Sequence, residues 1–492
     1  MKKIVVVGAG VAGLAAGIYA RKNGFECDIY EQHAVSGGEC TAWNRKGYRI
    51  DGSISWLTGV GEGTDIYNCW QETGAFEKEN IVKEPVFAQV HDGENTLTWY
   101  ADLSLLKEEL LRISPEDEKP INQLIGILEA LKGFQFPAGK PMDLMSPVEK
   151  RGFIKNMMTV FGTLGPICSL TTEEYGKRFK SELIRNALLA FSFRDNLAQG
   201  VLVTLGSVAG GQAGWVQGGS KKLTDNMKDQ FLKLGGKLFC NAKVKSIKIE
   251  EGSARGIVLE SGEEINADFV VPACDMHVVL KKLLDGKYKD SILDGFYTKD
   301  GYRTSSIAQV AFGVDCDLSN YASKNIFMID ETTIAGETVN SCCFTHYCKE
   351  KNFAPAGKSI IKTGLTIYDY SNWENLSRDE YLAKKEKIKN FYQNLLHKYF
   401  KETVGKVEMV DVTTPLTYER YCGAYKGAYM AFMLTKETNK VSHSGVIEGI
   451  DNMFIAGQWL SALGGLPDAL VSGKSAIMRI CSKENLEFVG VQ

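Results

Sequence analysis

The stretch Ile4-Val5-Val6-Val7-Gly8-Ala9-Gly10-Val11-Ala12-Gly13 decides the fold. Its first four residues form a fully apolar run, the pattern of a short parallel strand buried on both faces. Beyond Gly13 the period changes: Leu14, Ala15, Ile18 and Tyr19 recur at helical spacing until Asn23-Gly24 ends the helix. A second strand, Glu26-Cys27-Asp28-Ile29-Tyr30, closes on Glu31. Strand, glycine turn, helix, strand and acid in this order make a dinucleotide-binding βαβ unit. Gly8 allows the tight turn, Gly10 lets backbone approach a pyrophosphate, and Gly13 lets helix and strand pack closely. Val11 and Ala12 open the helix, whose unpaired N–H groups and positive dipole end face the phosphates. Glu31 is placed to accept hydrogen bonds from ribose hydroxyls, and Gln32 beside it is a further nucleotide-site candidate. An acid at this point fits a free 2′-hydroxyl, hence FAD or NAD rather than NADP.

Ser36-Gly37-Gly38 follows closely, then Gly47-Tyr48-Arg49-Ile50-Asp51-Gly52. From Val5 to Gly52 the chain resembles the FAD-binding N-terminus of the flavin amine oxidase and phytoene desaturase superfamily. There a second glycine pair closes over the flavin nucleotide, and Ser36, Gly37 and Gly38 match it. The arginine that often follows the pair is replaced here by Glu39-Cys40. The run from Arg45 to Leu57 is similar to the carotenoid desaturase and retinol saturase branch. The cofactor implied is FAD.

Composition bounds the remaining choices. A length of 492 residues suits two or three domains, or two interleaved ones, with ample core. A net charge of −3 with no basic stripe argues against a nucleic-acid partner. Twelve cysteines show no C-x-x-C pair, and six scattered histidines argue against a metal site. Cys342-Cys343 with Cys348 reads more simply as small buried hydrophobes on a strand than as a metal or redox cluster. Met1-Lys2-Lys3 leads straight into the first strand, so a cytoplasmic location with reduced thiols is the expectation. No stretch reaches the roughly 18–20 apolar residues of a membrane span. Met157–Leu170, preceded by Lys150, Arg151 and Lys155, is either a tunnel lining, ordinary core, or a helix in peripheral contact with a membrane.

Farther along, Val86–Val90 and Thr96–Tyr100 flank a turn and predict a hairpin. Ser114-Pro115 predicts a helix start with Ser114 as cap, followed by the stripe Ile121, Leu124, Ile125, Leu128 and Leu131. Thr171–Phe193 is again helical, and this region is expected to form a lid over the substrate cavity. Gly210–Ser220 marks a return to the nucleotide unit. A helix and the strands Lys237–Cys240, Lys243–Glu250, Ala254–Leu259 and Glu264–Val271 follow. In the superfamily the residue at the position of Val244 hydrogen-bonds the adenine through its backbone. Ser306–Val314, Asn340–His346 and Ser359–Ile367 predict an antiparallel substrate-side sheet, and Ser377–Glu380 a capping box opening a long helix.

Asn452–Gly457 reads as a strand ending on glycine, then Gln458-Trp459-Leu460, Gly464-Gly465-Leu466-Pro467-Asp468 and a helix over 469–480. In the superfamily this unit closes the FAD site near the pyrimidine end of the isoalloxazine, making Gly457, Gln458, Gly465 and Leu466 cofactor candidates. The segments 414–421 and 423–427 resemble the stretch running beside the flavin into the substrate cavity. Tyr418, Tyr421, Tyr425 and Lys426 are thus candidates for proton donation or substrate positioning, the alternative being a packed aromatic edge. Asp51 and Trp56 are further candidates for the flavin's reactive side. The expected fold is α/β, a Rossmann-like FAD-binding domain (1–80, 211–285 and 405–492) interleaved with an α+β substrate domain. That second domain (81–210 and 286–404) is expected to combine a mixed sheet with the helical lid. The expected activity is addition, removal or relocation of hydrogens at carbon–carbon double bonds of a hydrophobic polyene or isoprenoid-like lipid. An amine oxidase acting on C–N bonds and a non-catalytic lipid-escort flavoprotein are the alternatives.

Overall fold

The computed structural model describes residues 1–134, 138–192, 195–295, 297–298 and 302–490. β1 (Lys3–Val7) lies between β2 (Glu26–Tyr30) and the strand Phe269–Pro272, while Lys237–Phe239 pairs with the outer side of β2. All four strands run parallel. The apolar run at residues 4–7 follows from its place in the middle: Ile4 and Val6 enter one core, Val5 and Val7 the opposite one. The first core is covered by α1 (Val11–Lys22) with the helices Gly219–Lys233 and Leu466–Lys483. The second is covered by an antiparallel sheet of Val244–Glu250, Ser253–Leu259 and Glu264–Asn266.

A mixed eight-stranded sheet forms the other half. Its order is Val407–Val412, Thr304–Val314, Ser359–Ile367, Glu337–His346, Lys324–Ile334, Val86–Asp92 and Asn95–Tyr100, with Ala428–Phe432 also paired to Thr304–Val314. Every pairing is antiparallel except Lys324–Ile334 with Val86–Asp92. One face (Val310, Phe312, Phe344, Leu365) packs against Ile388, Tyr392 and Leu396 of the helix Arg378–Tyr399. The Ser377–Glu380 capping box opens that helix with both of its hydrogen bonds present. The hairpin residues Ala88, Val90, Leu97 and Trp99 pack on a helical layer, including Leu103–Ile113, Glu118–Leu131 and Ala198–Ala209. The expected class, α/β with a Rossmann-like unit interleaved with a mixed sheet and helices, is what the chain adopts. Val407–Val412 and Ala428–Phe432, read from sequence with the nucleotide unit, run in the eight-stranded sheet.

Several elements differ in detail. Glu264–Val271 is two strands in different sheets, Glu264–Asn266 and Phe269–Pro272. The chain turns at Asp268, which is locked onto β1 by Asp268 N–H to the Lys3 carbonyl (2.9 Å) and Lys3 N–H to its own carboxylate (2.7 Å). Ser114 does not cap a backbone N–H; its hydroxyl donates to the Asp117 carboxylate at 2.9 Å, and a 3₁₀ turn precedes the helix Glu118–Leu131. Thr171–Phe193 is broken into the helices Thr172–Gly176 and Glu182–Ala190, with Phe193 outside the described residues. Met157–Leu170 ends the helix Pro147–Leu164 and continues as a 3₁₀ turn. Lys324–Ile334 is a strand absent from the sequence reading. It returns as a hairpin through Ala335-Gly336, whose alanine takes φ +54°, a left-handed conformation that alanine does not advertise.

Candidate functional site

The site is built where the carboxyl ends of the parallel strands turn into helices. Gly13 on α1 lies so close to β1 that a β-carbon there would overlap the Gly8 carbonyl oxygen. This contact aims the amino end of α1 at the strand ends. Gly10 precedes α1 and gives its free N–H groups no side-chain cap, and the space where a Gly10 β-carbon would project is empty to 4 Å. The second glycine pair lies across this opening. Gly37 N–H donates to the Ala9 carbonyl at 2.9 Å, Gly37 bridges Gly10, and Gly38 faces the Gly10 α-carbon. Gly37 has φ +126°, and a β-carbon there would crowd the Cys40 carbonyl at 2.8 Å, so only glycine fits.

Glu31 is buried at the end of β2. Its carboxylate accepts the N–H groups of Ala9 (2.7 Å) and His33 (2.8 Å), so it braces the glycine turn besides offering its remaining lone pairs. Gln32 points outward, its amide 3.4 Å from the Tyr421 carbonyl. Val244 is buried in the core shared with Val7 and Tyr30. It starts its strand two residues after Ala242, whose N–H donates to the Glu31 carbonyl at 2.9 Å.

The carboxy-terminal segment arrives at the same place. Asn452–Gly457, expected as a strand, instead makes only an isolated bridge at Met453–Val270 after Asn452 turns in a left-handed conformation, with Val270 N–H donating to the Asn452 carbonyl and Ala456 N–H to the Pro272 carbonyl. Gly457 N–H donates to the Ser472 hydroxyl at 2.8 Å. The Gln458 carboxamide spans two segments, donating to the Glu39 carboxylate at 3.4 Å and accepting Gly465 N–H at 3.0 Å. Gly465 and Leu466 open the last helix without a side-chain cap. On that helix Gly473 packs directly on the α1 backbone, where a β-carbon would overlap the Ala12 carbonyl oxygen. Two uncapped helix ends, the second glycine pair and residue 458 are thereby brought together from opposite ends of the chain.

Acids around this opening resist ionisation. Burial pushes Asp275 up to about 6 although it accepts the N–H groups of Tyr425 (2.9 Å) and His277 (2.7 Å). Burial pushes Asp468 up to about 7, with the Ser461 hydroxyl (3.1 Å) opposing the shift. Burial, then the Asp275 charge, raises Glu39 well above the carboxylate range. Glu39 and Asp468 are nevertheless only half-buried. Side chains that are both desolvated and accessible face an internal space.

The residues present fit a flavin dinucleotide. The Ser36 hydroxyl, next to Gly37, is buried without a hydrogen-bond partner. Free N–H donors from two helix ends, the acceptor Glu31 and the empty volume at Gly10 supply what a diphosphate and a ribose require.

The side chains read as reactive are not gathered. Tyr421, 45% exposed, stacks edge-on against His33 beside Gln32. Tyr425 packs between His277 and Tyr297, with the Lys426 ammonium over its ring at 5.3 Å. Tyr418 turns inward, its hydroxyl 3.5 Å from that of Thr413. Asp51 is buried and accepts the Ser220 N–H (2.7 Å) and hydroxyl (2.5 Å). Trp56 stacks on Phe87. Sequence reasoning missed the groups on the inner face of the eight-stranded sheet: Gln309, whose buried carbonyl oxygen has no partner, and the buried Lys324 and Lys362. A lone lysine amid apolar residues, as in Ser359-Ile360-Ile361-Lys362, was the available signal.

This arrangement defines a flavin-dinucleotide-binding oxidoreductase. The family model of flavin-containing amine oxidoreductases matches residues 11–481, and the chain belongs to that family. Among curated proteins it is similar to a 4,4′-diapophytoene desaturase (4,4′-diapolycopene-forming) of Methylomonas, 22% identical over 99% of this chain and 96% of that protein. It is also similar to the chloroplastic prolycopene isomerase of Arabidopsis thaliana, 23% identical over 86% of this chain and 73% of that one. Among solved structures, an oxidoreductase from Methanosarcina mazei is 16% identical with a TM-score of 0.59, covering 97% of this chain and all of that one. A putrescine oxidase variant is 14% identical with a TM-score of 0.65, covering 98% and 99%. The structural likenesses show the fold. The chain is an FAD-dependent oxidoreductase of the carotenoid desaturase branch of its superfamily.

Two glycines separate fold from cofactor. Gly13→Ala should lower the melting temperature of the apoprotein by several degrees, a loss of about 1–3 kcal/mol. Gly10→Ala should leave apoprotein stability nearly unchanged and reduce FAD retention, measured by absorbance after gel filtration. Asp468 adds a pH dependence. Its folded-state pKa lies above the unfolded value, so its contribution to stability is full below about pH 4 and is lost as pH rises through 7. Asp468→Asn should therefore stabilise the apoprotein at pH 8, on the order of 2 kcal/mol, and flatten the decline between pH 4 and 7 in urea titrations. An unchanged pH profile would contradict this assignment.

Proposed function

We propose that the chain adds, removes or relocates hydrogens at carbon–carbon double bonds of a hydrophobic polyene or isoprenoid-like lipid. The observation that carries this reading is the inner face of the eight-stranded sheet. Ile307, Met328 and Cys343 there stay partly accessible where this face meets the helical layer, whereas the opposite face of the same strands is packed shut against a helix. A long apolar chain fits such a wall. The near full-length likeness to a diapophytoene desaturase supports the same substrate class. Bound FAD supplies a two-electron hydride acceptor or donor, which removes the need for a nucleophile or an acid–base pair.

In this reading Gly8, Gly10, Val11, Ala12, Gly13, Gly37 and Gly38 hold the diphosphate. Glu31 and Gln32 hold the ribose, and Val244 contacts adenine through its backbone. Gly457, Gln458, Gly465 and Leu466 close over the isoalloxazine. Tyr425 and Lys426 position substrate or supply a proton, with Tyr421 at the outer end. The nucleotide domain comprises 1–80, 211–285 and the part of 405–492 outside the eight-stranded sheet, and the substrate domain the rest.

The deciding experiment incubates FAD-loaded protein anaerobically with carotenoid polyenes, with NADH or NADPH, and separately with primary amines. The expected result is a change in flavin absorbance with a polyene and a product altered at its double bonds by chromatography and mass spectrometry. Hydrogen peroxide formed only with amines would overturn the reading in favour of C–N oxidation.

Among the described residues no helix is long and apolar enough to cross a membrane. We propose peripheral contact through the helix Pro147–Leu164. Val148 (70% exposed) and Met158 (68%) accompany exposed Ile154, Arg151 and Lys155, an apolar and basic surface suited to an anionic bilayer. Ile154→Glu with Met158→Glu should reduce co-sedimentation with phosphatidylserine-containing vesicles about tenfold. Equal sedimentation would refute it.

A further inference from the structure

Lys324, Thr345 and Lys362 sit directly opposite one another on three neighbouring strands, so their side chains share one face of the sheet. The two lysine α-carbons are two strand spacings apart, about 9–10 Å, within mutual reach of long side chains. It is the inner face, because Lys362 also faces Ala311, which packs with Tyr48, Ile50 and Ile360 and closes the face at that end. In the other direction the same face continues through Cys343 and Gly364 to Met328 and Thr366, all partly accessible. A partly accessible apolar face, which meets the helical layer at Ile326, Met328 and Cys343, thus runs to an end carrying two ammonium groups.

Among the described residues neither ammonium forms an ion pair. Lys324 is 9% and Lys362 7% exposed. The Lys362 ammonium donates to the Asp51 carbonyl at 2.9 Å and lies 5.5 Å from the Tyr347 ring centre. The Lys324 ammonium rests over the rings of Trp56 (4.2 Å) and Phe87 (4.5 Å), with no hydrogen bond or ion pair to any described residue. The acids nearby, Glu84 and Asp51, act on the lysines through their charge while their carboxylates hydrogen-bond to other groups. Glu84 accepts the Ser323 hydroxyl (2.9 Å) and pairs with Lys349 (3.0 Å), while the Asp51 carboxylate serves Ser220 and Ser53. Burial pushes the Cys343 and Tyr347 protons on more firmly, so neither is an anion at neutral pH. Two desolvated cations on one sheet face, opposed by the Asp51 and Glu84 charges but in contact with neither carboxylate, are unfavourable in the free protein. Stability alone would place aliphatic residues here.

We propose that the substrate is a lipid acid, its carboxylate held between Lys324 and Lys362 and its unsaturated chain laid along the inner sheet face toward the flavin. This inference rests on the polyene reading and narrows it to anionic substrates. Charge-assisted hydrogen bonds to a carboxylate would satisfy both ammonium groups at once.

The test uses FAD-loaded protein and three probes with one polyene chain: all-trans-retinoic acid, retinol and methyl retinoate. Binding is read by quenching of tryptophan fluorescence, with Trp56 reporting beside Lys324. The acid should bind at least tenfold more tightly than the ester or the alcohol. Lys324→Met and Lys362→Met should each erase most of that preference while leaving ester binding unchanged. Lys324→Arg should retain it. Both methionine variants should also melt at higher temperature than wild-type apoprotein, the opposite of a merely structural lysine. Equal affinity for acid, alcohol and ester, or a preference that survives both substitutions, would overturn the proposal while leaving the polyene reading intact. Failure of all three probes to bind would overturn both. The wild-type comparison stands without any variant folding.

Discussion

The structure depends on how closely backbone can approach backbone at Gly13. With no side chain between them, α1 settles onto the end of β1, and the last helix settles onto α1 in the same way through Gly473. Three layers are stacked at distances that alanine would already disturb. The consequence is directional: two helix amino ends, neither capped by a side chain, point at the edge of the sheet where strands finish. Their partial positive charges and free N–H groups are left for an anionic ligand. Glu31 supports the geometry from beneath by accepting the Ala9 N–H, so one carboxylate both shapes the turn and faces the nucleotide region.

The two sheets divide the labour. The parallel sheet, hidden on both faces, contributes only its edge. The eight-stranded sheet contributes a wall, one side packed against a helix and the other left partly open. Between them lies an interior poor in water. Asp275, Asp468 and Glu39 hold their protons more tightly than carboxyls in solution, and Lys324 and Lys362 hold theirs less tightly. Burial is the leading cause in all five, and each shift moves the group toward neutrality.

Much of the nucleotide half was legible because each requirement there is local. A tight turn needs Gly8, a close helix needs Gly13, and both leave their mark within ten residues. The paired return of residues 457–466 was readable through resemblance, although hydrogen bonds tie that segment to Glu39 across more than 400 positions. Other features lie beyond local pattern. Glu264–Val271 reads as one strand, and only the bonds between Asp268 and Lys3 explain its division between two sheets. The hairpin at Ala335-Gly336 hides behind an alanine in a glycine-like conformation. Tyr421 and Tyr425 carry the right chemistry in the right segment, yet helix geometry over 415–422 turns Tyr421 outward. The inner lysines escaped because opposition across strands is a property of register.

The bond from Gln458 to Glu39 also sets an order of events during synthesis. The cradle's first half has been translated once Glu39 is made, but the Gln458 that closes it is made more than 400 residues later. β1 lacks its neighbour Phe269–Pro272 until that strand has been made, and α1 lacks the last of its covering helices, Leu466–Lys483, until the end of the segment that carries Gln458. A nascent chain therefore carries one unpaired edge of a strongly apolar strand until Phe269–Pro272 has been made. The cradle is complete only once residues 457–466 have been made, and a truncation that removes Gln458–Lys483 removes its lid together with part of the covering of the first core.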